Sequence, residues 1–166
     1  MINNLLSALT FVSALGCGLI AGVFFAFSAF VMKALASLPP AQGVAAMQSI
    51  NVTVLNPWFL GTFFGTAVGC ILLAVASLFT WHKPGAAYLL VGSVFYLFGT
   101  VLVTIAFNVP RNEKLATLDP ASGRAIGVWS EYVTNWTAWN HVRAIAAVAA
   151  VAFLIVGLCW SRGRVA

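Results

Sequence analysis

Charge is what this chain has least of. Its 166 residues include eight Lys and Arg and three Asp and Glu, so that 7% of the chain is charged. A soluble domain carries about 25%, which excludes an ordinary water-facing surface. Acid is scarcest: Glu113, Asp119 and Glu131 are the whole supply. Histidine is limited to His82 and His141, and Cys17, Cys70 and Cys159 are far apart with no ligand-like spacing. A zinc or di-iron site needs several convergent ligands, and a disulfide framework needs paired cysteines. Neither is supported, and the cysteines read as small apolar fillers within helices. A phosphate loop, a GxSxG elbow and a defensible Ser–His–acid spacing are also missing.

What is abundant is apolar surface: 62% hydrophobic residues and a mean hydropathy of +1.02. Four continuous runs reach the roughly 20 residues that cross a bilayer as a helix. They are Leu5–Val31, Trp58–Thr80, Gly85–Phe107, and Ala144–Trp160 with an upstream extension beginning near Tyr132. The first three carry no charge. A β-barrel would need short alternating segments instead. The expected fold is therefore all-α, an integral membrane four-helix bundle forming one domain over residues 1–166. The N-terminal run is too long for a signal peptide and reads as a retained first helix. The net charge of +5 suits anionic headgroups and orientation, not nucleic acid.

The connections are unequal. His82-Lys83-Pro84-Gly85 is a short turn, so the second and third spans are antiparallel neighbours. After Pro39 and Pro40, Val44, Met47, Ile50 and Val54 fall at helical spacing, which predicts a short interfacial amphipathic helix. Asn56-Pro57 opens the second span. The stretch Asn108 to about Arg124 holds the turn chemistry of a polar loop. Small residues recur every fourth position at Ala14, Gly18, Gly22 and Ala26, and at Gly61, Gly65 and Gly69. Such stripes let helices approach closely in lipid; packing within the chain is the first reading and a homo-oligomer the second. Four spans put both termini and the His82 turn on one side, with Lys83, Arg162 and Arg164. The opposite side holds Lys33, Arg111, Lys114 and Arg124, diluted by all three acids. The positive-inside rule decides weakly, and the Arg162–Arg164 tail favours cytoplasmic termini in a bacterial plasma membrane.

The polar minority gathers between Asn108 and Arg143, and intramembrane polar groups mark function. On a helical wheel Trp129, Tyr132, Trp136, Trp139 and Arg143 fall within about 80° of one another. His141 lies opposite, with Thr134 and Thr137, and Asn140 falls between. An interfacial aromatic belt explains Trp129 and Trp136 taken singly; an aromatic face aligned with an arginine suggests a pocket for a hydrophobic small molecule or membrane lipid. Arg143 either snorkels to the surface or turns inward towards an acceptor, with Glu131, Glu113 and Asp119 the acids available to it. His141 suits a general base for a phenolic or enolic substrate; a helix-packing role and a single-axial haem ligand are its alternatives. Asn51, Asn56, Asn108, Asn112 and Arg111 sit at helix ends or in the two long connections. There they either cap helices or orient a ligand's oxygen.

Several strings in order, GVFFAFSAFVMKAL, AMQSIN, NPWF with FFGT, NVPRNEKLA and WSEYVTNWTAWNHVR, resemble the anthrone oxygenase-like family of small integral membrane proteins. The resemblance runs from about Gly18 to Arg143. It implies a four-helix membrane bundle that oxidises an anthrone to an anthraquinone with O2 and uses no metal or flavin. On that expectation Tyr132, Trp136 and Trp139 stack the rings, His141 is the base, and Asn140 or Arg143 stabilises the anion. The contrasting expectation is a non-enzymatic lipid or small-molecule binder, or an accessory subunit of a membrane complex.

Overall fold

The computed structural model describes the chain from Ile2 to Arg162, with side chains from Asn4 to Ser161. Arg164, one of the residues used above to orient the termini, lies outside the described residues. The described residues form five helices. α1 runs as α-helix over Ile2–Ala26, widens to a π-helix over Phe27–Val31 and closes with Met32–Ala36. α2 is Pro40–Thr53 and α3 is Pro57–Phe79. α4 starts as α-helix over Ala86–Val94, passes through π-helical Phe95–Leu102 and Thr104–Asn108, and ends with α-helical Val109–Ala116. α5 is one helix, Ala125–Arg162. Four of the five are long and apolar enough to span a membrane.

The termini of these helices follow from local chemistry. Asn56 caps α3, its side-chain oxygen accepting from the amides of Trp58 and Phe59, both at 3.1 Å. Pro40 and Pro57 occupy first-turn positions, where no amide donor is required. Gly85 takes φ 89°, the left-handed conformation that turns the chain between α3 and α4.

α3 has 23 residues, about 34 Å at 1.5 Å per residue, close to the roughly 30 Å hydrocarbon core. Its ends carry exposed indoles, Trp58 at one and Trp81 just past the other, with Trp160 exposed near the end of α5. These three, not Trp129 or Trp136, form the aromatic belt. α5 has 38 residues, about 57 Å, and α1 and α4 are also longer than the core requires. All three overshoot α3 on the side of the long connections. There α2 lies over them, burying Val44 and Met47 against Leu115, Trp129, Tyr132 and Trp136. Gln48 ties it down, its amide donating to the carbonyls of Leu115 at 2.9 Å and Leu118 at 2.8 Å.

Three expectations change. The polar loop after Asn108 is half as long as expected, because Val109–Ala116 continues α4 as helix. Pro110 does not break it: the π turn ahead already relaxes the i→i−4 ladder, and the Arg111 guanidinium donates to the Phe107 carbonyl. The fourth span, α5, begins upstream of Trp129, so the wheel argument applies along its whole aromatic face. The small-residue stripes pack only in part. Gly22, Gly61 and Gly65 meet no neighbour, whereas Gly69 of the second stripe faces Ser13, and outside the stripes Gly16 faces Thr66 and Gly99 faces Ala146, each so closely that a side chain there would have to displace its neighbour. Cys17 and Cys70 are buried in the core as fillers, while Cys159 is exposed.

Candidate functional site

The four spans form a ring in the order α1, α3, α4, α5, each touching the next and α5 touching α1. α3 packs on Ala86–Leu102 of α4 and parts from its second half. The gap is a cavity of about 550 Å³, walled by α1 at Phe24 and Phe27, by α2 at Met47–Val52, by α3 at Phe59–Phe64, and by α4 at Thr104–Ala116. Trp136 and Arg143 of α5 form the back. The outer lip is apolar and exposed: Val52, Leu55, Phe64 and Ile105. It therefore opens sideways, towards lipid, at the level where α3 begins.

Arg143 is 4% exposed. It turns inward and does not snorkel. Its Nη2 donates to Asn140 Oδ1 at 2.7 Å and its Nη1 to Thr104 Oγ1 at 3.3 Å. The guanidinium carbon lies 4.1 Å from the Phe24 ring centroid and 5.0 Å from that of Trp136, within cation–π range. Its Nε has no hydrogen-bond partner. Among the described residues no carboxylate pairs with it; the ion pair there is Lys114 with Glu131 at 3.9 Å, on the surface. A charge stripped of water without a counter-ion is costly, and the amide, the hydroxyl and two ring faces offset only part of that cost.

Asn140 holds the arginine in place. Fully buried, it donates from Nδ2 to the Phe24 carbonyl and to Ser28 Oγ, both at 2.7 Å. These acceptors flank the start of the π-helical stretch of α1. A widened turn leaves a main-chain carbonyl without its usual i+4 donor, and a side chain inserted there is a recognised cause of such a distortion. Beside this group, Asn112 Oδ1 accepts from Tyr132 OH and Trp136 Nε1, each at 2.8 Å. The two donors fix both rings, and Tyr132 and Trp136 lie at a tilt of 22°. Asn108 is buried and donates to the Trp136 carbonyl at 3.1 Å.

The sequence-predicted residues divide into three groups. Arg143, Trp136, Asn112 and Asn51 line the cavity. Asn140, Tyr132 and Asn108 stand behind that wall and position it. His141, Trp139, Asn56 and Arg111 lie apart from it. His141 is exposed on the outer face, because Asn140 and Arg143, three apart on one helix face, both point inward and the two residues between them, His141 and Val142, point out. It does not line the cavity that Arg143 closes. Trp139 stacks on Phe107, centroids 3.6 Å apart; Asn56 is the α3 cap and Arg111 holds the Phe107 carbonyl. Sequence reasoning missed Phe24, Ser28, Thr104 and Gln48, and named Glu113 only as an acid available to Arg143. Phe24 and Ser28 sit within GVFFAFSAF and Glu113 within NVPRNEKLA, but those strings carry no periodic signal. No group of three or more His, Cys, Asp or Glu able to hold a metal occurs among the described residues.

The architecture defines a class: a four-span helical membrane protein with a lipid-facing aromatic cavity and an unpaired arginine at its back. The family model described as anthrone oxygenase matches residues 58–153, more than half the chain, and the chain belongs to that anthrone oxygenase-like family. No curated protein and no solved structure matches it.

Proposed function

We propose that the protein is a membrane oxygenase acting on a flat, hydrophobic, enolisable aromatic of the anthrone or quinol type. One observation carries the reading: the Arg143 guanidinium is buried without a counter-ion, and it faces an apolar cavity lined by Phe24, Phe27, Phe59, Phe63 and Trp136. An aromatic whose oxygen becomes anionic supplies the missing charge. Binding is then favoured in proportion to how far the substrate has ionised, which is where catalysis is gained. Thr104, Asn112 and Asn51 add polar groups that fix orientation.

The chemistry follows from the anion. Loss of a ring C–H proton leaves a carbanion delocalised onto the oxygen at Arg143. It passes an electron to O2, and the resulting radical pair joins to form a C–O bond. The peroxide anion so formed takes up a proton, and the hydroperoxide then loses water, leaving a carbonyl. A CH2 group and O2 thus become C=O and H2O. A sufficiently electron-rich carbanion reduces O2 itself, so this reading assigns no step to a metal or flavin. We further place the chain in a bacterial plasma membrane with cytoplasmic termini.

The test is O2 uptake and quinone formation by purified protein in nanodiscs, with dithranol (a dihydroxylated anthrone) as substrate. Wild type should accelerate both. Arg143→Met should lower turnover by about a hundredfold or more, the usual cost of removing an oxyanion-stabilising group. A wild-type protein without effect on dithranol that carries tightly bound lipid would overturn the reading in favour of a lipid-binding protein.

A further inference from the structure

Two ionisable side chains line the cavity, and they have opposite charge. Arg143 closes the back, and Glu113, on the last α-helical turns of α4, reaches the cavity from the end beneath α2. The remaining polar residues on the wall, Gln48, Asn51, Thr104 and Asn112, do not accept protons at neutral pH. His141, expected as the base from sequence, faces away. Among the described residues Glu113 makes no ion pair; Lys114 beside it turns to Glu131 on α5.

The two charges are held apart along one helix. Arg143 is anchored to Thr104, and Glu113 follows Thr104 by nine residues of α4, the first of them π-helical, so the two side chains meet the same cavity at different heights. A flat aromatic lying between them would present an oxygen to the guanidinium and, across the ring, an acidic C–H to the carboxylate. With no ion pair between the two among the described residues, Glu113 is free to take a proton and Arg143 free to receive the charge.

We infer that Glu113 is the general base of the reaction, an assignment that rests on the oxygenase reading above. The carboxylate oxygen forms an O–H bond as the substrate C–H bond breaks. The C–H electron pair moves through the ring onto the oxygen beside Arg143. The proton then leaves through the exposed end of Glu113, where α4 meets the polar loop.

Anaerobic hydrogen–deuterium exchange isolates this step, because it needs no O2. Wild-type protein in nanodiscs is mixed with dithranol in D2O without oxygen, and loss of the methylene proton signal is followed by NMR. Glu113→Gln should slow enzyme-dependent exchange by about a hundredfold or more, within the range of general-base catalysis, while quenching of the protein's tryptophan fluorescence shows that dithranol still binds. Glu113→Asp should restore part of the rate, and Glu131→Gln, on the outer surface, should leave it unchanged. Exchange by Glu113→Gln at the wild-type rate overturns the assignment of the base alone. Absence of binding and exchange in wild type overturns the oxygenase reading itself.

Discussion

Asn140→Asp changes one heavy atom and neutralises the positive charge at the back of the cavity. The Arg143 Nη2 bond at 2.7 Å survives, but its acceptor now carries a full negative charge. The two donor bonds from Nδ2, to the Phe24 carbonyl and Ser28 Oγ, are lost. At about 1 kcal/mol each they cost about 2 kcal/mol, which the new ion pair offsets in part, so the variant should fold with a modestly lower Tm in detergent. Its effect on binding should be larger. An anionic ligand oxygen about 6 Å from the new carboxylate feels a repulsion of about 3 kcal/mol at an effective dielectric of about 20, roughly a hundredfold in Kd. The assay is fluorescence titration with a hydroxylated anthraquinone and with its methyl ether, which cannot ionise. The phenol should lose about a hundredfold in affinity and the ether only a few-fold. Equal losses for the two ligands, or none for the phenol, would show that Arg143 does not recognise negative charge.

Two further outcomes follow from the packing. Ile105→Trp fills the lip between α3 and α4, so it should slow entry of membrane-borne ligand at least about tenfold without altering Tm, as stopped-flow quenching would show. Gly99→Val drives a branched side chain into Ala146 and should destabilise the bundle by about 1–3 kcal/mol, read as a lowered Tm in detergent.

The spans were legible because continuous apolar runs have one physical solution in lipid. Arg143 was legible for the converse reason: a single charge within an apolar helix must be turned towards something. The wheel placed His141 opposite the aromatic face, and it remains there. Its suggested role came from imidazole chemistry and the family resemblance, not from that geometry. Asn140 was harder to place, because its partners are a main-chain carbonyl and a hydroxyl on α1, more than a hundred residues away, freed by a π turn that leaves no mark on sequence. The helical run Val109–Ala116 was hidden by Pro110, whose usual meaning the preceding π stretch cancels. Glu113 was read as a loop charge for the same reason.

α3 is the short member of the bundle, and the bilayer itself becomes a reagent store because of it. Where α3 falls away from α4, the cavity adjoins the acyl chains, so its ligand arrives from a two-dimensional solvent in which flat aromatics concentrate far above their aqueous level. Occupancy is then set by moles of ligand per mole of lipid. Adding empty vesicles at constant total ligand dilutes the substrate seen by the protein, and an apparent KM expressed per volume of buffer would rise with every addition of membrane.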